Sequence, residues 1–269
     1  VDRNAARLTA SCTRLCIPAP DESLVIDSIK QLVMLDQGWA PSRRGEALYV
    51  RPVLIATEPH LAVRPASRYR LLIFTSPVCE YFAQVKSPLY LKAEERYTRA
   101  PHGGTGYAKT ASNYSVTLRP MNDSVEDGFD QILWLDGQEH KYVEEAGQMN
   151  IFFRLGDSVV TPDLSGTILP GVTRESVLTL LDDMGVTATE RRLSMDELFL
   201  AQANGELHEA FGAGTASVVV PIGRIRYHDS DLRFPDEQQG NLCPELYNKI
   251  LGIQHGELED RHYWMMPLE

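Results

Sequence analysis

Long apolar runs are missing from this sequence: no window approaches the roughly 20 consecutive apolar residues that a membrane-spanning helix needs. Positive charge is also scarce. Lys and Arg number 26 against 37 Asp and Glu, and the formal net charge of -11 argues against partners such as nucleic acid or an anionic membrane surface. Cysteine is sparse too. Cys12, Cys16, Cys79 and Cys243 form no CxxC pair, and none lies near a His at zinc-ligand spacing, so reduced intracellular thiols and no metal site are expected. There is no internal repeat, low-complexity segment or signal peptide. The chain opens on Val1 rather than Met and is expected to be an excerpt of a longer protein. The expected compartment is the cytoplasm, with a mitochondrial leader left open by the missing N-terminus.

What is present suits a soluble globular protein that takes a small molecule. With 269 residues, 43% of them hydrophobic, the chain can bury one large core or two modest ones. Residues 7–15 read as a helix, with Cys12 and Cys16 one turn apart. Asp21 is placed to cap a second helix over 21–35, where Leu24, Val25, Ile29, Leu32 and Val33 recur at helical spacing. Residues 48–55 and 70–76 read as strands, so the first part is mixed α and β. A stretch rich in Lys, Arg, Pro and Gly follows, giving a small N-terminal domain at 1–83, a linker at 84–102 and a larger domain at 103–269. Within the larger domain, 131–136, 149–154 and 217–227 read as strands, and 173–184 and 245–253 as helices.

One stretch offers two chemistries. GGTGYAKT at 103–110, with ILWLD at 132–136 downstream, imitates a phosphate loop followed by an acidic strand. The imitation fails because Ala108, not Gly, precedes Lys109, and no apolar strand feeds the loop. The alternative is a reactive lysine reached through a glycine-rich loop. A lysine amine condenses with an aldehyde only when deprotonated, which calls for a partly desolvated pocket.

The blocks that decide between them are Gly103 to Lys109 with Asn113-Tyr114, Gln131 to Asp136, Glu145 to Phe153, and Thr161 to Arg174. In this order they closely resemble the branched-chain amino acid aminotransferases, and 48–52 and 211–216 look like further blocks of that family. The resemblance implies a fold-type IV α/β architecture of two domains, the smaller N-terminal one truncated here. It further implies pyridoxal 5'-phosphate as cofactor, amino acids and 2-oxo acids as substrates, and a homodimer.

Residue by residue, the resemblance implies Lys109 as the Schiff-base lysine and proton carrier, and Glu145 as the acid facing the pyridine nitrogen. Glu144 is the rival, but Glu145 has the motif's spacing to Asn150. Tyr114 is implied beside the cofactor. Val172 and Thr173, at the start of a helix, and Thr215, in a Gly-Thr-Ala turn, are implied at its phosphate, with Arg7 as the positive partner. Tyr49 and Arg51, with Thr215 and Ala216, are implied at the substrate, where the planar guanidinium suits a carboxylate.

Two departures bear on scope. Ala111-Ser112 replaces the family's Gly-Gly, and Pro120 is expected to shorten or kink the helix that follows. Ser217 and Val220 stand where some animal members carry a thiol pair, so no redox switch is expected. Alternatives are a same-fold enzyme, such as a D-amino acid aminotransferase, an aminodeoxychorismate lyase or a specialised-pathway transaminase, and a paralogue that binds cofactor without turnover.

Overall fold

Strand pairing, more than helix packing, organises this molecule. The computed structural model describes residues 1–78, 88–234 and 242–268. The chain divides into two compact units, one of Val1–Tyr81 with Ile253–Glu269 and one of Phe82–Gly252.

The first unit begins with α1 (Asp2–Arg14) and α2 (Glu22–Leu35), followed by β1 (Ala47–Ala56) and β2 (Tyr69–Val78). Asp21 caps α2 as its sequence position requires, its Oδ1 accepting the Ser23 N–H at 2.8 Å. β1 and β2 pair antiparallel from Ala47 opposite Val78 to Ala56 opposite Tyr69. Cys16 lies beyond the expected helix: α1 ends at Arg14, and Cys16 turns left-handed at φ 54. The turn closes with the Ile17 N–H donating to the Cys12 carbonyl at 2.9 Å. Cys12, Cys16 and Cys243 are free thiols, whereas Cys79 lies outside the described residues.

The second unit runs β3 (Leu89–Ala93), α3 (Ser112–Ser115), α4 (Leu118–Glu126), β4 (Gln131–Leu135), β5 (Val143–Ala146), β6 (Met149–Leu155) and β7 (Ser158–Thr161). It continues with α5 (Val172–Asp183), β8 (Ala188–Glu190), α6 (Met195–Ala203), β9 (Leu207–Gly214), β10 (Val218–Tyr227) and β11 (Ser230–Arg233), before α7 (Leu242–Gln254). These strands form one nine-stranded sheet. Because β9 pairs with both β6 and β10, strands β3, β4, β5, β6, β9 and β10 close into a ring. Closure leaves these six without a free edge, and it encloses an apolar interior. Leu91, Leu133, Leu135, Ile151, Phe153 and Ile222 belong to that core. On the other face of β6 and β9, register partners Phe152 and Phe211 stack with ring centroids 5.2 Å apart.

Two expectations change. The stretch 84–102, expected as a linker, contributes β3 to the middle of the sheet, with Leu89, Leu91 and Ala93 buried. A five-residue strand between Pro88 and Glu94 is too short to show a pattern of its own. The far C-terminal residues, expected in the larger domain, group with the first unit from Ile253 onward. Pro120, in turn, costs little. The helix breaks between α3 and α4, leaving Pro120 in the first turn of α4, where its missing N–H has no intrahelical partner to lose.

Candidate active site

The glycine-rich loop before α3 is shaped from inside by one amide. Asn113, buried, donates through Nδ2 to the Thr105 and Ala108 carbonyls, both at 2.8 Å. Its Oδ1 accepts the Thr105 hydroxyl at 2.8 Å. The loop is therefore curled around Asn113 and presents Lys109 on its outer side. Gly106 makes this possible: a Cβ there would sit 2.2 Å from the Thr167 carbonyl oxygen. The loop enters a four-residue α3 and is not fed by a strand, which disposes of the phosphate-loop imitation. Asp136, its supposed acidic partner, instead organises a turn by accepting the N–H groups of Gln138, Glu139, Lys141 and Tyr142. Burial pushes its carboxyl up, but those four donors hold it below the usual range.

Lys109 Nζ donates to the Tyr114 hydroxyl at 3.0 Å and lies 5.7 Å from the ring centroid. Both residues line a pocket shared with Arg99, Glu145, Gln148 and Leu169. Thus the structure brings together Lys109, Tyr114 and Glu145.

Glu145 reaches the pocket from β5, paired across the sheet with Trp134 and Asn150. Its Oε1 accepts the Leu169 N–H at 2.8 Å, and its Oε2 lies 3.3 Å from Arg99 Nε. Burial raises its pKa, against the pull of Arg99, the Leu169 N–H and Lys109. Glu144 accepts the Thr167 hydroxyl at 2.6 Å and is pushed up to about 7 by burial, with Thr167 and Arg99 opposing. It is absent from the pocket lining, so the geometry favours Glu145 over its neighbour.

The peptide of Leu169 is held at both ends. Its N–H goes to Glu145, while its carbonyl accepts Asn150 Nδ2 at 3.0 Å. Gly171 follows as N-cap of α5, where a Cβ would lie 2.1 Å from Asn150 Oδ1. Val172 and Thr173 open the helix, and no side chain caps it. The exposed N–H groups and positive end of the helix suit an anion. Arg174 is structural: buried, it donates to the Pro162 carbonyl at 2.9 Å and to Glu190 Oε2 at 2.7 Å. Thr215 and Ala216 lie exposed in the turn between β9 and β10. That turn neighbours the pocket rim, because a Cβ on Gly214 would touch Met149 at 3.4 Å and the Gln148 carbonyl at 3.9 Å.

Arg7, Tyr49 and Arg51 belong to the first unit. Arg7 is half-buried on α1. Tyr49 and Arg51 share one face of β1, with Arg51 Nη2 donating to the Tyr49 hydroxyl at 3.2 Å. Sequence reasoning missed Arg99 altogether. It sits in an apparent linker, and only its burial at 7% and its long-range partners mark it out.

Among the described residues no helix is long and apolar enough to cross a membrane. Comparison with known proteins gives a consistent family. The amino-transferase class IV family model matches residues 1–225. Branched-chain-amino-acid aminotransferase 2 of Bacillus subtilis (strain 168) is 45% identical over 263 residues, covering 98% of this chain and 72% of that protein. The branched-chain-amino-acid aminotransferase of Mycobacterium tuberculosis is 44% identical over 272 residues, covering 99% and 74%. A solved Escherichia coli branched-chain amino acid aminotransferase matches with a TM-score of 0.82 at 19% identity, covering 100% of this chain and 84% of that one. The branched-chain amino acid aminotransferase from Thermobaculum terrenum, solved in its PLP-form, matches with a TM-score of 0.79 at 20% identity, covering 100% and 82%. With its closed sheet, its lysine and its buried acid in one pocket, this chain belongs to the class IV aminotransferases, in the branched-chain-amino-acid aminotransferase family.

Proposed function

We propose that this enzyme transfers the amino group of leucine, isoleucine or valine to 2-oxoglutarate, using pyridoxal 5'-phosphate held by Lys109. The observation that carries the reading is a lysine amine bonded to a phenol in the same pocket as a buried carboxylate. The chain is also 45% identical to a branched-chain-amino-acid aminotransferase.

The residues present fit this cofactor: an amine for its aldehyde, a carboxylate for its ring nitrogen, and uncapped helix N–H groups for its phosphate. When bound, pyridoxal phosphate supplies a carbonyl that takes up the amino group and a ring that draws electrons from the substrate Cα. Lys109 would hold the cofactor through its amine, and the same amine, when free, would be the base that moves the substrate Cα proton. Tyr114 orients that amine through its hydroxyl. Glu145 holds a proton on the ring nitrogen, since a buried negative charge favours the positive ring. Val172, Thr173 and Thr215 offer donors to the phosphate, and Arg7 adds positive charge.

Tyr49, Arg51, Thr215 and Ala216 are assigned to the substrate. The Tyr49 hydroxyl steers the Arg51 guanidinium toward a carboxylate. A hydrophobic side-chain pocket separates substrates that differ by one methylene by only about 1 to 3 kcal/mol, so the three branched-chain acids overlap. The working unit is proposed to be a homodimer, because the first unit exposes Trp39, Leu61, Val63 and Phe74. The proposed compartment is the cytoplasm, in keeping with the free thiols of Cys12, Cys16 and Cys243 among the described residues.

The assignment is tested by reducing the cofactor-loaded enzyme with borohydride and mapping the modified peptide. A phosphopyridoxyl mass on Lys109 is expected. The mass on another lysine, or none, contradicts it.

A further inference from the structure

Arg99 is a charged side chain at the bottom of the pocket that the roles above leave without a task. Its side chain is only 6% exposed. Burying a guanidinium carries a large desolvation cost, and an apolar residue would fill the space more cheaply. The contacts show what the charge does. Nη2 donates to the Thr167 carbonyl, and Nε faces Glu145 Oε2 at 3.3 Å, an ion-pair contact whose angle falls short of a hydrogen bond. The neighbouring Ala100 lies within 2.7 Å of where a Gly106 Cβ would sit, so Arg99 starts the segment that wraps toward Lys109.

Glu145 is therefore gripped from two directions. The neutral Leu169 N–H holds one oxygen at 2.8 Å, and the full charge of Arg99 faces the other. The first contact fixes direction, and the second stabilises the anion in surroundings that otherwise favour the neutral acid. Glu144 competes for the same guanidinium from the adjacent position, where Thr167 holds it in place. Through the Thr167 carbonyl, Arg99 also ties together the segment carrying both carboxylates' partners.

We propose that Arg99 is a positioning residue for Glu145: it sets the carboxylate's aim and its charge, and thereby decides where the proton shared with the cofactor ring resides. The proposal rests on the reading of Glu145 as the partner of the ring nitrogen. With Arg99 in place the proton stays on nitrogen. Without it, a neutral acid beside a neutral ring becomes the cheaper arrangement in a dry pocket.

The experiment loads the enzyme with pyridoxal 5'-phosphate labelled with 15N in the ring and reads the nitrogen shift by NMR. The wild type is expected to show the protonated-ring value. Arg99→Gln should move the signal toward the unprotonated value, and Arg99→Lys should recover part of the difference. A wild-type shift in Arg99→Gln, with Glu145→Gln displaced, overturns the proposal and leaves the Glu145 reading standing. A wild-type shift in Glu145→Gln overturns that reading itself. Should Arg99→Gln fail to fold, the double variant Arg99→Gln with Glu145→Gln decides. Recovery of folding is expected, because no unpaired buried charge remains. Failure of the double variant as well makes Arg99 scaffold only and overturns the proposal.

Discussion

The two units of this chain handle hydrophobic surface in opposite ways. In the second unit six strands close on themselves, and large side chains such as Trp134, Phe152, Phe153 and Phe211 are fully buried. The first unit rests on a two-stranded sheet and two helices, with only Ala5, Cys12, Val25 and Ile253 as buried hydrophobics among the described residues. It leaves Leu35, Trp39, Leu61, Val63 and Phe74 exposed. Each kind of surface suits a different kind of function. A proton transfer that depends on a charge in a fixed position needs a rigid, dry frame, and Glu145, buried on β5, stands on that frame. Residues that meet a varied substrate or a partner tolerate a looser mount, the role proposed for Tyr49 and Arg51 on β1.

The contrast predicts unequal costs for the same truncation. Phe153→Ala, in the ring interior at 0% exposure, should cost about 3 to 5 kcal/mol, whereas Phe74→Ala, at 53%, should stay within about 0.5 kcal/mol in the monomer. Urea unfolding of both variants checks this, and equal losses would erase the distinction between the units.

Chemistry should follow the same division. Glu145→Gln keeps the shape but removes the charge, so turnover of L-leucine should fall roughly 100-fold or more with little change in KM. Arg51→Met should do the reverse for the acidic co-substrate. Loss of one charged hydrogen bond raises KM for 2-oxoglutarate about 10- to 100-fold and leaves turnover with leucine near its original value. Steady-state kinetics with each substrate varied separates these outcomes, and a KM effect at Glu145 would reverse the assignment.

A pH effect of similar size comes from Glu144. Its folded pKa is raised from 4.5 to about 7. The unfolded chain therefore loses this proton first as pH rises, and the folded state is progressively penalised between pH 4.5 and about 7. The full penalty is about 3 kcal/mol and is constant at higher pH. Glu144→Gln should flatten the decline of melting temperature over that window in the cofactor-free protein. An unchanged slope would mean that the carboxyl is not desolvated as its surroundings imply.

Much of the first unit was legible in the sequence because its signals are local. The periodicity of α2, the Asp21 cap and the two strand runs 48–55 and 70–76 needed no distant partner. The second unit was less so. β5 reads Val-Glu-Glu-Ala, a pattern expected at a solvated surface, and becomes a buried strand only because Thr167, Leu169 and Arg99 arrive from elsewhere in the chain. β9 carries two glycines and a His, which hide its place as the strand that closes the ring. For the site, Lys109, Tyr114 and Glu145 were legible through family blocks. Arg99 was not, since an arginine beside Pro101 and two glycines looks like a linker residue until its burial is seen.

The amine of Lys109 and the charge of Glu145 are proposed to work together on an amino acid bound to pyridoxal phosphate. The most direct measurement follows the visible band of the cofactor-loaded enzyme as L- and D-amino acids are added singly. L-leucine, L-isoleucine and L-valine are expected to bleach the band, and 2-oxoglutarate to restore it. A band left unchanged by those three, or bleached by D-amino acids alone, would contradict it.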